Sequence, residues 1–368
     1  MRFGGRDIDL ARMPDDADLQ AWDQADLYAL DHLPDEGRVL LVLDAFGALA
    51  CAIADRDRAS AGDSELARLS TLTNLESNSL PDCTWTSLDS IEGEFDVAIV
   101  KVPRQKALLD AALSRIRPHL RAGASVIGAG MTKHVHNSTT KSFERWIGPT
   151  ATSRARSRAR LLFAEVKADV RKPPAPETVN VPGEEFLLWL EPGVFAKQGI
   201  DPGSALLLNW IPRLPAEGRD QLILDAGCGS GLLTATAASR NPAAEVIGTD
   251  ESHLAVASAL RTLEPFAKAR AEVANVLSTI ADGSADLVLS NPPQHQAAAL
   301  SQQLLSVFIE EARRALRPTG KVRMVANRHV NLNVALTGAF DRVRILDQDR
   351  RFMICEAEGP FSAAPRTA

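Results

Sequence analysis

The chain has 368 residues, 45% hydrophobic and 24% charged, with a formal net charge of -6. That length suggests two domains at roughly 100–200 residues each, and the apolar fraction excludes wholesale disorder. Residues 1–30 hold no apolar stretch behind a basic start, and the longest apolar run, 39–54, is broken by Asp44 and falls short of the ~20 residues of a membrane helix, so neither a signal peptide nor a membrane span is expected.

In chain order, strand-like runs alternate with helical patterns, which predicts an α/β fold built on parallel sheets. Residues 39–43 and 97–100 read as buried strands, 108–120 as a helix and 125–127 as the next strand. The stretch 172–182 carries Pro173, Pro174, Pro176 and Pro182, too many for a helix or a central strand, and marks 173–185 as a linker between domains 1–172 and 186–368. Beyond it, 222–224, 246–247, 287–289 and 322–325 read as strands, and 232–239, 254–263 and 304–316 as helices. The halves also match each other. Asp96 to Pro103 aligns with Asp286 to Pro293, the Ile-Arg-Pro ending at Pro118 with the Leu-Arg-Pro ending at Pro318, and Asp44-Ala-Phe-Gly47 with the stretch from Asp225 to Gly231. A duplicated α/β domain is expected, one copy stripped of its glycines.

Charge is distributed unevenly. Residues 1–36 hold ten acids and three bases, and 37–100 eleven acids and four bases, whereas 101–172 hold sixteen bases against four acids. A local excess of twelve positive charges is an electrostatic footprint for a polyanion whatever the global sign. Within it, Arg154, Arg156, Arg158 and Arg160 alternate, so that they either share one face of a strand or form a solvated loop; phosphate contact is expected of them.

Three motifs carry chemistry. Asp225-Ala-Gly227-Cys-Gly229-Ser-Gly231 follows a strand and opens a helix, and its glycines let the backbone turn tightly against a ligand. Asp250 closes the next strand, where an acid accepts the hydroxyls of a ribose. The spacing D-x-G-x-G-x-G resembles the S-adenosylmethionine loop of class I methyltransferases. Asn291-Pro292-Pro293 ends a strand at the edge where open α/β sheets bind ligands. There the Asn291 side-chain oxygen and the Pro292 carbonyl can accept both protons of an amine conjugated to a ring, aiming its lone pair at the methyl and stabilising the charge that develops.

Together with Ile200-Asp-Pro-Gly-Ser204, Asn327-Arg-His329 and Arg351-Phe-Met-Ile354, and with Pro103-Arg-Gln-Lys106, Thr132-Lys-His134 and Phe143-Glu-Arg-Trp-Ile-Gly148 in the first half, these motifs stand in the order seen in bacterial ribosomal RNA guanine-N2 methyltransferases, which the chain resembles over nearly its whole length. The first-half segments lean towards the large-subunit enzymes. The resemblance implies two tandem Rossmann-like class I methyltransferase domains, the N-terminal one degenerate and holding RNA, with S-adenosyl-L-methionine as cofactor and guanine N2, most of all in 23S RNA, as target. It further implies a cytoplasmic enzyme, favoured as a monomer, that binds ribosomal RNA and no membrane. Asn291 and Pro292 become the catalytic candidates. Asp225, Gly227, Gly229, Gly231, Asp250, Asn275 and Phe195 are the cofactor candidates, with Asn275 in place of an acid that contacts the adenine amine. Pro293, Gln294 and His295 join the four arginines as substrate candidates.

One position departs from the family. Gln294 stands where a phenylalanine is placed to stack on the base, an interaction worth roughly 1–3 kcal/mol. Either Gln294 bonds the guanine edge, or His295 or Phe195 stacks instead, or the substrate differs. Two other readings therefore stand beside the first: a planar-nitrogen methyltransferase acting on 16S RNA or a protein amide, and a non-catalytic RNA-binding or assembly factor. His134, His136, His295 and His329 are too dispersed for a metal site, and none is expected. The four cysteines Cys51, Cys83, Cys228 and Cys355 lack C-x-x-C spacing and read as reduced cytosolic thiols.

Overall fold

The computed structural model describes residues 1–14, 19–167, 173–194, 200–215, 218, 220–293 and 298–361. The chain divides into two compact units, Met1–Ala175 and Pro176–Ala368.

The first unit opens with a hairpin of β1 (Arg2–Phe3) and β2 (Arg6–Asp7), followed by α1 (Gln24–Leu30), whose N-cap Asp23 accepts from the amides of Ala25 and Asp26. Then come β3 (Val39–Val42), α2 (Ala48–Ala52), β4 (Arg58–Gly62), α3 (Glu65–Ser77), β5 (Thr84–Ser87), β6 (Phe95–Lys101), α4 (Lys106–Ile116), β7 (Leu120–Met131), α5 (Asn137–Trp146), β8 (Thr150–Thr152) and β9 (Ala159–Glu165). The helix expected over 108–120 stops at Ile116, because Pro118 ends it in a short 3-10 turn and Leu120 already begins β7.

The second unit holds β10 (Glu177–Asn180), β11 (Leu187–Leu190), α6 (Pro202–Leu208), β12 (Leu222–Ala226), α7 (Leu232–Arg240), β13 (Glu245–Asp250), α8 (His253–Leu263), β14 (Ala269–Val273), β15 (Ala285–Ser290), α9 (Ala298–Ala315), β16 (Leu316–Asn327), α10 (Leu332–Thr337), β17 (Phe340–Gln348) and β18 (Phe352–Pro360). The stretch read as a linker, 173–185, is more than a tether. Glu177–Asn180 pairs antiparallel with Leu187–Leu190, and Val181 packs into the second unit's core. Such an isolated two-stranded pair tolerates flanking prolines, since the prolines stand outside its ladder.

Each unit contains one seven-stranded sheet, in the orders β5-β4-β3-β6-β7-β9-β8 and β14-β13-β12-β15-β16-β18-β17. Counted along each unit, both orders are 3-2-1-4-5-7-6, with five parallel strands and an antiparallel pair at one edge. The expected duplication of a Rossmann-like α/β domain is therefore present, down to single bonds. Asp96 Oδ2 accepts from Arg38 N at 2.9 Å, and Asp286 Oδ2 accepts from Leu222 N at 2.9 Å. Period-two alternation feeds two cores in the second unit: Ile223, Val246 and Leu287 face one layer, while Leu224, Ile247 and Val288 face the other.

The repeat also corrects one alignment. Gly47 and Gly231 are both left-handed N-caps, of α2 and α7, and Leu43 matches Gly227 in positive φ (59° and 75°). Counting back from the caps sets Asp44 opposite Cys228, and Leu41 opposite Asp225. Asp44 Oδ2 accepts from the amides of Leu49 at 2.9 Å and Ala50 at 3.4 Å, so a carboxylate of the chain itself fills the anion-binding end of α2.

Candidate functional site

Four neighbouring strands of the second sheet end at one edge. β14 leads to Asn275, β13 ends in Asp250, β12 leads into the glycine loop and β15 into Asn291. The chain reverses its direction of sheet growth between β12 and β15, which is the crevice where open α/β sheets bind ligands.

The glycine loop is held from below. The amides of Gly227 and Cys228 both donate to Thr249 O at 2.9 Å, and Gly229 N donates to Asp250 Oδ2 at 2.9 Å. Gly227, Gly229 and Gly231 all have left-handed φ, which the sequence had to supply with glycine. A Cβ on Gly231 would stand 3.1 Å from Ala259 Cα, whereas one on Gly229 would meet nothing within 4 Å. Gly229 therefore presents bare backbone to open space. Asp250 Oδ1 accepts from Ser252 N at 2.9 Å, so a backbone amide on each oxygen fixes the plane of the carboxylate. Asn275 is half-buried, and its side chain has no hydrogen bond among the described residues.

Asp225 lies beneath this loop, fully buried. Its Oδ2 accepts the Thr234 hydroxyl at 2.6 Å, and its Oδ1 is buried with no hydrogen-bond partner among the described residues. Burial, with the nearby Asp250 charge, pushes its carboxyl up to about 7. Cys228 is buried too, and desolvation pushes its thiol upward, away from nucleophilic reactivity.

Asn291 is half-buried, Pro292 buried and Pro293 exposed. Asn291 Nδ2 donates to Asp201 Oδ2 at 2.8 Å and to Ser204 Oγ at 2.9 Å, both at the start of α6. The ring of Phe352 closes on the same spot, since a Cβ on Gly203 would stand 3.2 Å from Phe352 Cε1 and 3.4 Å from Asn291 Nδ2. Ile200-Asp-Pro-Gly-Ser204 and Arg351-Phe352 stand out as motifs in the sequence, but nothing along the chain assigns them a role. The available signal was Asp-Pro at a helix start, which announces a cap but not the partner 90 residues away. Phe195, Gln294 and His295 lie outside the described residues.

The arginine alternation fits neither alternative whole: Arg154, Arg156 and Arg158 precede β9, and Arg160 lies within it. β8 and β9 join by a tight turn whose Ser157 and Arg158 have φ of 48° and 63°, so the four arginines share no face. Arg156 pairs with Asp31 at 2.7 Å and lies over Tyr28, while Arg154 and Arg158 are exposed. Arg160 lines a cavity of about 350 Å³ with His136, Lys141, Asn137 and Glu144. Much of the positive charge in 101–121 is spent internally, Lys101 on Asp23 and Asp26, Lys106 on Asp110, Arg115 on Asp89 and Arg121 on Asp96. Arg104, Lys133 and His136 stand near His134. Burial and these neighbours hold its imidazole below the usual value.

The N-terminal copy carries different chemistry at the matching edge. Where Asn291 leaves β15, Lys101 leaves β6, and it binds Asp23 at 2.9 Å and Asp26 at 2.5 Å. Burial outweighs Lys101 in setting Asp26, whose carboxyl rises to about 6.

Comparison with known proteins agrees with this architecture. Residues 1–168 match the RLMG N-terminal domain and 185–356 the methyltransferase small domain. A ribosomal RNA large subunit methyltransferase G of Streptomyces coelicolor is 38% identical, over 95% of this chain and 97% of its own length, and one from Pseudoalteromonas translucida is 33% identical over 97% of each. A 16S rRNA N2 methyltransferase of T. thermophilus, solved with AdoMet and guanosine, has the same fold, with TM-score 0.75 and 23% identity over 91% of this chain and 92% of that one. With two relatives above 30% identity along almost its full length, the chain belongs to the large-subunit ribosomal RNA methyltransferase G family.

Proposed function

We propose that the chain methylates the exocyclic N2 of a guanine in 23S ribosomal RNA, using S-adenosyl-L-methionine. The observation that carries this reading is the pairing of a bare glycine loop on β12 with Asn291-Pro292 on the adjacent β15, within a family of ribosomal RNA methyltransferases. The donor's requirements are matched by residues present. Gly227, Gly229 and Gly231 would border its amino-acid portion, Asp250 its ribose and Asn275 its adenine, with Asp225 supporting the loop from beneath. Bound there, S-adenosyl-L-methionine supplies an electrophilic methyl on sulfonium.

The target guanine leaves its stack to reach the crevice. Asn291 Oδ1 and the Pro292 carbonyl accept the two N2 protons, which turns the nitrogen lone pair towards the methyl. The new N–C bond forms as the S–C bond breaks, the demethylated thioether is the leaving group, and one N2 proton passes to solvent water. The two prolines hold the loop in place, so that its acceptors need no reorganisation as charge develops. Pro293, exposed at the end of this loop, borders the base.

The N-terminal unit grips RNA phosphates through Arg154, Arg158, Arg160 and Lys141, with Arg156 committed to Asp31. The enzyme works in the cytoplasm as a monomer on naked or assembling ribosomal RNA. Four cysteines, all buried and free, fit a reducing compartment, and no described helix is long and apolar enough to cross a membrane.

Incubation of the full chain with labelled donor and separated ribosomal RNAs tests the assignment. Label is expected on guanine N2 of the 23S fraction, and Asn291→Ala is expected to lose transfer while binding donor normally by calorimetry. Unchanged turnover in that variant refutes the catalytic role, and label confined to 16S RNA or protein refutes the substrate.

A further inference from the structure

The two acceptors that hold the Asn291 amide form one unit. Asp201 is the N-cap of α6, and its Oδ2 accepts from Ser204 N at 2.9 Å as well as from Asn291 Nδ2. Pro202 fixes the first helical residue. Gly203 leaves the room the amide needs, because a Cβ there would lie 3.1 Å from Asp201 Oδ2 and 3.4 Å from Asn291 Nδ2. Asp201-Pro-Gly-Ser204 is thus shaped at every position around the side chain that leaves β15.

The first unit repeats the arrangement with different chemistry. Lys101 leaves β6 at the position matching Asn291 and binds Asp23, the N-cap of α1, and Asp26, which follows its cap by the same three residues that separate Ser204 from Asp201. One bracket therefore exists in both copies. The copy without a cofactor loop fills it with an ion cluster, and the copy with the loop fills it with a neutral amide.

We propose that Asp201 and Ser204 are positioning residues that fix the orientation of the Asn291 amide. This rests on the role given to Asn291 above. An asparagine amide has two nearly isosteric orientations, and only one turns its oxygen towards an amine that needs an acceptor. An ionised carboxylate can only accept, so Asp201 binds the NH2 end and leaves Oδ1 on the opposite side. Ser204 takes the second N–H and removes the remaining freedom. The flipped amide would set two N–H donors against the substrate amine.

Steady-state rates and donor affinities of the full chain test this through four variants: Asp201→Asn, Ser204→Ala, Asn291→Asp, and the double Asp201→Asn/Asn291→Asp. Asparagine caps a helix as well as aspartate does, so Asp201→Asn keeps α6 and the melting temperature. Its amide can pair with either orientation of Asn291. A drop in kcat of about ten- to a hundredfold is expected, with RNA KM and donor Kd near wild type, and a smaller drop for Ser204→Ala. Asn291→Asp sets two carboxylates face to face and is expected to be nearly inactive. In the double variant the new amide donates to the new carboxylate, whose second oxygen can again accept from the amine, and kcat should recover at least about tenfold over Asn291→Asp. A merely structural role predicts no such recovery.

Wild-type kcat in Asp201→Asn, or a double variant no better than Asn291→Asp, overturns the proposal. The parent reading fails differently, by full turnover in Asn291→Ala. Loss in Asn291→Ala combined with wild-type rates in Asp201→Asn overturns the positioning role alone.

Discussion

Gly229 and Gly231 stand two residues apart in one loop, and alanine at each should fail for a different reason. Gly231 has φ of 83°, and its Cβ would meet the Cα and Cβ of Ala259 on α8 at 3.1 Å. The left-handed backbone costs an L-residue about 1–2 kcal/mol. Pressing a methyl against helix backbone that cannot swing aside adds about 1–3 kcal/mol. Gly231→Ala should therefore lose roughly 2 to 5 kcal/mol, a fall in melting temperature on the order of 10 °C for a unit of this size. Gly229 has φ of 54°, and its Cβ would touch no protein atom within 4 Å, so only the backbone cost of about 1–2 kcal/mol applies. That methyl instead enters the space assigned to the donor. Intruding there by about 1–3 kcal/mol weakens donor binding by about five- to a hundredfold or more. Scanning calorimetry reads the first quantity and isothermal titration with S-adenosyl-L-methionine the second. A Gly229→Ala variant as destabilised as Gly231→Ala, or one that binds donor as wild type does, would show that the two glycines do not play these separate roles.

Further outcomes follow from the same geometry. Asp225 is raised to about 7 by burial, so its folded form retains a proton that the unfolded chain gives up near pH 4. Its contribution to stability is complete below about pH 4 and declines as pH rises to about 7, by at most about 4 kcal/mol. Asp225→Asn should flatten urea-unfolding stability between pH 5 and 8, and an unchanged slope refutes this. Lys101→Asn alone leaves the buried Asp26 and the partly exposed Asp23 without their cation and should cost up to about 3–5 kcal/mol. Adding Asp26→Ser copies the bracket of the second unit and should recover part of that loss; no recovery means that the two brackets are not equivalent. On the N-terminal basic face, Lys141→Ala with Arg160→Ala should lower the slope of log affinity against log salt by about 0.7–0.9 for each phosphate left without its cation. RNA phosphates beside His134 should raise its depressed pKa, so binding should tighten from pH 8 to pH 6; pH-independent affinity would count against phosphates at that position.

Features that depend on local backbone chemistry were legible along the chain. Apolar strand runs such as 39–42 and 287–289, glycines at φ values barred to other residues, and Asn-Pro-Pro after a strand all report short-range constraints, and the repeat made them legible twice. The edge strands were silent for the converse reason. Most side chains of β17 face solvent, so it carries no apolar alternation to find. The Glu177–Asn180 strand was hidden because its prolines read as a boundary. Charge was the most misleading local signal. The excess in 101–172 is real, but Lys101, Arg115, Arg121 and Arg156 are paired with acids from the first hundred residues, and pairing depends on which segments the fold brings together. The same holds at the candidate centre. Asp201 and Asn291 each stood out as motif residues, yet only the packing of α6 against the end of β15 turns them into one hydrogen-bonded group. Spacing along the chain constrains torsions and caps; the partner of a side chain 90 residues away is decided by tertiary structure alone.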